Sequence, residues 1–177
     1  MNKTISAVAL LAVLSLNSGA SFAAPSLDVG FSPEGSALRV VLKTIDDAHD
    51  SIRLMGYSFT SPEVVKALVA AKKRGVDVRV VIDDKGNRSK ASQAAMNVVV
   101  NAGIPLRING QFRIMHDKVI ITDGKNVETG SFNYTRSASE YNSENALLIS
   151  DVPALAQNYL THWQSRWEGG TDWHSNY

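Results

Sequence analysis

Apolar residues along this chain recur at two spacings, and the switches between them divide it into elements. Leu27 to Phe31 reads as a short strand that runs into the turn residues Ser32-Pro33-Glu34-Gly35. From Ser36 the period lengthens. Leu38, Val41, Leu42 and Ile45 fall on one helical face, which predicts a helix from about Ser36 to His49. "SIRLMGYSF" returns to a strand pattern. A second helix is marked at both ends, by Ser61 as N-cap, Pro62 at the first helical position and Glu63 in the first turn, then by basic residues before Gly75. "VDVRVVID" is almost continuously β-branched, as a strand covered on both faces should be. A third helix follows over about Ser89 to Ala102, stopped by Gly103, and "IPLRI" starts another strand.

The second half reads differently. "RIMHDKVIITDGKNVETGSF" is strand, Asp-Gly turn and strand, an antiparallel hairpin. "NALLIS" is one more buried strand. The last helix sets Leu155, Tyr159, Trp163 and Trp167 at core-facing spacing. Strand and helix alternate first and a hairpin comes after, so the expected fold is a single α/β domain. Its sheet is expected to be mixed but largely parallel, with helices on both faces. There is no internal repeat and no low-complexity linker.

Residues 1–23 stand apart from this pattern. One cation, Lys3, precedes an apolar run from Ile5 to Leu16, and Ser21 and Ala23 sit where a signal peptidase would require small residues. The run is too short to span a bilayer. The expectation is a secretory signal over 1–23, a mature domain over 24–177 and a bacterial periplasmic location, without stable membrane association after cleavage. The chain has no cysteine, so neither a thiol nucleophile nor a zinc-thiolate site is available. Its 18 Lys and Arg face 17 Asp and Glu, and removing Lys3 leaves 17 of each. A large nucleic-acid footprint usually brings a basic excess. Any phosphate recognition here must therefore come from a local cluster.

That cluster is legible in "MHDKVIITDG". Alternation along a strand puts His116 and Lys118 on one face and turns Asp117 away. A metal site would want a second ligand where Lys118 stands; an ammonium instead asks for an anion. Asp123 falls at the hairpin turn. Further on, Gly130 permits close backbone approach, Ser131 and Asn133 add a hydroxyl and an amide, and Glu144 precedes the next strand. Imidazole, ammonium, amide and hydroxyl gathered at one sheet edge suit a phosphate. Lys118 and Asn133 would donate to non-bridging oxygens and leave His116 free to react. Arg53, Lys85, Arg88, Arg113 and Arg136 lie near strand ends or in loops, available to flank a groove.

"HDKVIITD" followed by "GSFN" matches H-x-K-x(4)-D-x(6)-G-S-x-N and so resembles the phospholipase D superfamily, most closely its small bacterial, Nuc-type periplasmic endonuclease branch. The resemblance implies a phosphodiesterase that works through a phosphohistidine with no metal and no cofactor. His116 would be the nucleophile or its partner acid. Lys118 and Asn133 would hold the phosphate with Ser131 beside it, and Glu144 would orient the imidazole. Asp123, with Gly130, would be structural. Larger members of the family carry the motif twice, and this chain carries it once. One imidazole cannot stand on both sides of phosphorus, so the expectation is a homodimer whose two copies of His116 share a site. The expected substrate is DNA cut without sequence preference, with RNA left open. A phospholipase D-type lipid phosphodiesterase and a non-enzymatic phosphate-binding accessory protein are the other readings. Against the lipid reading, every apolar stripe in the mature chain has a core to face.

Overall fold

The computed structural model describes residues 24–175; the expected secretory signal over 1–23 lies outside them. Eight strands form one sheet in the order β1-β7-β6-β5-β2-β3-β4-β8. They are β1 (Ser26–Ser32), β2 (Ser51–Gly56), β3 (Asp77–Asp83), β4 (Leu106–Asn109), β5 (Lys118–Thr122), β6 (Asn126–Gly130), β7 (Glu144–Ser150) and β8 (Thr171–Asp172). The helices are α1 (Ser36–Asp46), α2 (Pro62–Lys73), α3 (Lys90–Asn101), the short α4 (Arg136–Glu140) and α5 (Pro153–Glu168). The helix caps follow the sequence signals. Ser61 Oγ accepts from Val64 N at the start of α2, and Ser89 Oγ accepts from Ser92 N at the start of α3. The first helix stops at Asp46, three residues short of His49.

The sheet is mixed, and helices cover both faces. The expectation that it would be largely parallel needs correction, because only β2–β3 and β3–β4 are parallel among seven pairings. An adjacent parallel strand requires a crossover, and α2 and α3 are the helices that join neighbouring strands this way. The β5–β6–β7 meander, β1 and β8 all pair antiparallel. The two-residue strand β8 had no sequence signal; it extends the sheet beyond β4.

Two cores flank the sheet. On one face, Ile52, Leu54, Val80, Ile82 and Ile120 meet α1, α2 and α3 through Val41, Ile45, Val64, Leu68, Met96 and Val99. On the other, Met55, Val81, Val119, Ile121 and Val127 meet α5 through Ala156 and Trp163, with Tyr159 and Trp167 partly buried alongside. Trp163 Nε1 donates to the Leu54 carbonyl at 2.9 Å, which fixes α5 to the middle of the sheet. The strand ends therefore form two separate rims. The C-terminal ends of β1, β2, β3, β4 and β6 share one rim with the N-terminal ends of β5 and β7.

Candidate active site

At that rim, His116, Lys118, Gly130, Ser131, Asn133 and Glu144 line one cleft of about 430 Å³. Every sequence-designated group except Asp123 is brought together there. Lys118 opens β5, and His116 sits just before the strand rather than inside it. Asp117 does turn to the opposite face, where its carboxylate lies 3.2 Å from Nε2 of His162 on α5. The imidazole is exposed to the cleft. Its ring packs at a 59° tilt against Tyr57, with centroids 4.7 Å apart.

Lys118 is only 7% exposed. Burial pulls its ammonium below the usual lysine range, and the carboxylates of Asp117 and Glu144 push it back up. Nζ donates to the His116 carbonyl at 2.7 Å and stands 5.4 Å from the Tyr57 ring centroid. The cation that would meet a phosphate therefore also ties down the backbone that carries the imidazole. A second cation would be repelled here, whereas an anion would restore some of the solvation that Lys118 has lost.

The Gly130-to-Asn133 segment is shaped by its contact with β7. A Cβ at Gly130 would overlap the Asn145 carbonyl oxygen, so only glycine lets the two backbones approach this closely. The Ser131 and Phe132 amides both donate to that oxygen, and Ser131 Oγ accepts from the Asn145 amide at 3.1 Å. The side-chain oxygen of Asn133 is buried without a hydrogen-bond partner. Glu144 Oε1 accepts from Asn142 Nδ2 at 3.0 Å, and no hydrogen bond joins Glu144 to His116 within the described residues.

Asp123 lies at the other rim, one strand length of about 16 Å away. It takes a left-handed φ of 54° and Gly124 one of 64°, as a tight hairpin turn of this hand requires. Its carboxylate accepts the backbone amides of His49, Asp50 and Ser51 at 2.8–3.2 Å, joining the start of β2 to the hairpin.

Sequence reasoning passed over several supporting groups. Tyr57, beside the imidazole, carried no signal beyond its place in a strand-like run. Asp83, 1% exposed at the end of β3, accepts from Met115 N at 2.6 Å and from Gly86 N at 2.7 Å, anchoring the segment that leads into His116. An acid closing an otherwise apolar strand was the available clue. Glu128, fully buried on β6, accepts from the Tyr134 hydroxyl at 3.3 Å. Burial raises its carboxyl to about 8, against a partial lowering by that hydrogen bond. The two residues bracket the Gly130–Asn133 segment, and Tyr134 packs over Gly56 and accepts the Thr60 and Ser61 amides.

Of the candidate flanking cations, Lys85, Arg88, Arg113 and Arg136 follow strands at the cleft rim. Arg53 does not belong with them. It points toward α5, pairs with Asp77 at the far end of β3 and packs over Trp163.

The cleft, the sheet and the motif agree with the comparisons to known proteins. A family model described as "Cardiolipin synthase, PLD-like domain" matches residues 41–167. The chain belongs to this phospholipase D-like family. Among solved structures it is similar to Nuc from Salmonella typhimurium, described as a phospholipase D family member, with 59% identity and a TM-score of 0.85. That match covers 86% of this chain and all of the other. It is also 36% identical over 136 residues to a phospholipase D of Rickettsia conorii, and 32% identical over 133 residues to the mitochondrial cardiolipin hydrolase of Xenopus laevis. Those alignments cover 77% and 75% of this chain, and the chain spans 66% and 62% of those two relatives.

Proposed function

We propose that this protein is a metal-independent phosphodiesterase, acting as a sequence-nonspecific endonuclease on DNA, and on RNA through the same backbone contacts. The observation that carries the reading is the convergence of an exposed imidazole, a buried ammonium, and the Ser131 and Asn133 side chains in one cleft. Lys118 and Asn133 hold the non-bridging oxygens. His116 attacks phosphorus, forming an N–P bond as the P–O bond to the leaving group breaks. A proton donor opposite neutralises the departing oxygen, and water then releases the phosphohistidine. Glu144 lines the same cleft and in this reading orients the imidazole. Contacts to phosphate carry no sequence information, which supports cleavage without sequence preference.

The proton donor is His116 of the partner subunit in a two-fold homodimer. Support comes from a face of the sheet that α5 does not reach. α5 packs on β2, β4, β5 and β6. On the same side Leu27, Val29 and Phe31 of β1 are left 70%, 58% and 52% exposed. This corrects the expectation that every apolar stripe faces the core. β1 pairs with β7 so that Phe31 lies opposite Asn145 and Ser32 opposite Glu144, which carries the apolar face up to the cleft. Light scattering is expected to report a dimer, and serine at Leu27 and Phe31 to yield monomers that no longer cleave. An active monomer would contradict the shared site. Export to the periplasm by residues 1–23 completes the reading; N-terminal sequencing of the secreted protein tests it. Among the described residues no helix is long and apolar enough to cross a membrane.

The direct test is nicking of supercoiled plasmid by the purified mature protein in excess EDTA. Cleavage should survive EDTA and vanish in His116→Asn. A lipid phosphodiesterase is the second reading, favoured by Phe112 and Ile114, which stand exposed just before His116. If plasmid stays intact while phospholipid vesicles are hydrolysed, that reading replaces the first.

A further inference from the structure

The segment between β4 and His116 is held rigidly while its apolar side chains face solvent. Asn109 Oδ1 accepts from Gln111 N at 3.0 Å, Lys85 Nζ donates to the Arg113 carbonyl at 3.1 Å, and Asp83 takes the Met115 amide. Met115 is buried in the α5-side core. With the backbone fixed at these points, Phe112 and Ile114 remain 38% and 47% exposed. The Arg166 guanidinium covers one face of the Phe112 ring, 4.6 Å from its centroid. Arg113, between the two apolar residues, makes no side-chain hydrogen bond or ion pair among the described residues. By contrast, Arg88 and Arg136 at the same rim are paired with Asp84 and Glu140.

An aromatic ring backed by one guanidinium, beside a second guanidinium with no partner, is chemistry for an unpaired base and its phosphate. Phe112 lies four residues from His116, at most about 14 Å away along an extended chain. A strand whose scissile phosphate sits at His116 passes within reach of it. A duplex keeps its bases stacked on each other and offers no free face to the ring. Insertion into acyl chains would carry Arg113 and the Arg166 guanidinium toward hydrocarbon, which is costly, whereas a nucleic-acid strand satisfies both.

We propose that residues 110–115 form a strand-engaging arm on which Phe112 stacks an unpaired base while Arg113 contacts its phosphate, so that the site prefers single-stranded or locally opened substrates. This rests on the nuclease reading above. Stacking of this kind tolerates any base and leaves cleavage nonspecific.

The test measures binding of labelled oligothymidylate and of a duplex of equal length to the full mature chain carrying His116→Asn, which prevents turnover. Adding Phe112→Ala should weaken single-strand binding roughly 5- to 150-fold, with a much smaller effect on duplex, and Phe112→Tyr should restore it. Arg113→Ala should weaken both and flatten the salt dependence. An equal loss for both substrates, or none for either, overturns the arm. A change in oligomeric mass with single-strand binding intact overturns it in favour of a subunit contact. Lost co-sedimentation with anionic vesicles and intact single-strand binding overturns it in favour of a lipid surface. Thermal melts confirm that each variant is folded. Wild type that cleaves nucleic acid while Phe112→Ala behaves identically removes only the arm; wild type that neither binds nor cleaves nucleic acid removes the nuclease reading and the arm together.

Discussion

The two ends of the β5–β6 hairpin carry one sequence motif and do opposite things. At one end His116 and Lys118 face Gly130, Ser131 and Asn133 across an open cleft, with a buried ammonium and an unpartnered amide oxygen. At the other, Asp123 is fully engaged, its carboxylate taking three consecutive backbone amides and its backbone making the turn. One end leaves an imidazole open to the cleft beside a buried ammonium; the other satisfies its carboxylate with backbone amides. Fixed spacing in a motif therefore does not imply one shared site. Here the five residues of β5 form a rigid spacer, and the aspartate sets the strand's far end so that the near end is placed.

This contrast can be broken in steps. The largest effect is expected at the chemical end, where His116→Asn should lower kcat by at least about 10⁴-fold with an unchanged melting temperature. Lys118→Met removes the ammonium proposed to hold the phosphate oxygens and should cost roughly 10²- to 10³-fold in kcat/KM. It also relieves a buried charge, so stability should hold or rise slightly. At the structural end the pattern inverts. Asp123→Ala strands the amides of His49, Asp50 and Ser51 and should lose roughly 2–4 kcal/mol in urea denaturation, while the folded fraction keeps kcat within a few-fold of wild type. Comparable losses of activity and stability in both variants would erase the distinction.

Glu128 sharpens it further, since it is a buried acid on the same hairpin near the chemical end. Its carboxyl is raised to about 8 from an ordinary value of 4.5. The stability tied to its protonated form is therefore fully present below about 4.5 and lost as pH rises toward 8. The expected slope is no more than about 1.4 kcal/mol per pH unit. Glu128→Gln should flatten that segment in urea titrations at stepped pH. A wild-type curve with no decline from pH 4.5 to 8 would refute the buried, proton-holding role.

Much of this was legible in the sequence because the motif residues sit on regular elements with fixed periods. Alternation placed Lys118 inward and Asp117 outward, and the Asp-Gly turn positioned the hairpin. The cleft residues His116, Lys118, Gly130, Ser131, Asn133 and Glu144 all carry a signal in the sequence. What could not be read depends on contacts remote in sequence. Strand direction is not legible, because β-branched runs report burial and not pairing. Asp83 and Tyr57 support the site through Met115 and His116, 32 and 59 residues away, and Glu128 through Tyr134 beyond the hairpin. The bare face of β1 has the same apolar alternation as a covered strand. Only the path of α5 reveals that nothing among the described residues covers it.

The central claim is that a His116–phosphorus bond forms and is then hydrolysed. Each displacement inverts configuration at phosphorus, so two in succession retain it. Cleavage of a substrate with a single phosphorothioate linkage of known configuration, in ¹⁸O-labelled water, reads this out directly. Retention is the result expected from a phosphohistidine at His116. Inversion would mean that water attacks phosphorus in one step, and would contradict the assignment of His116 as nucleophile.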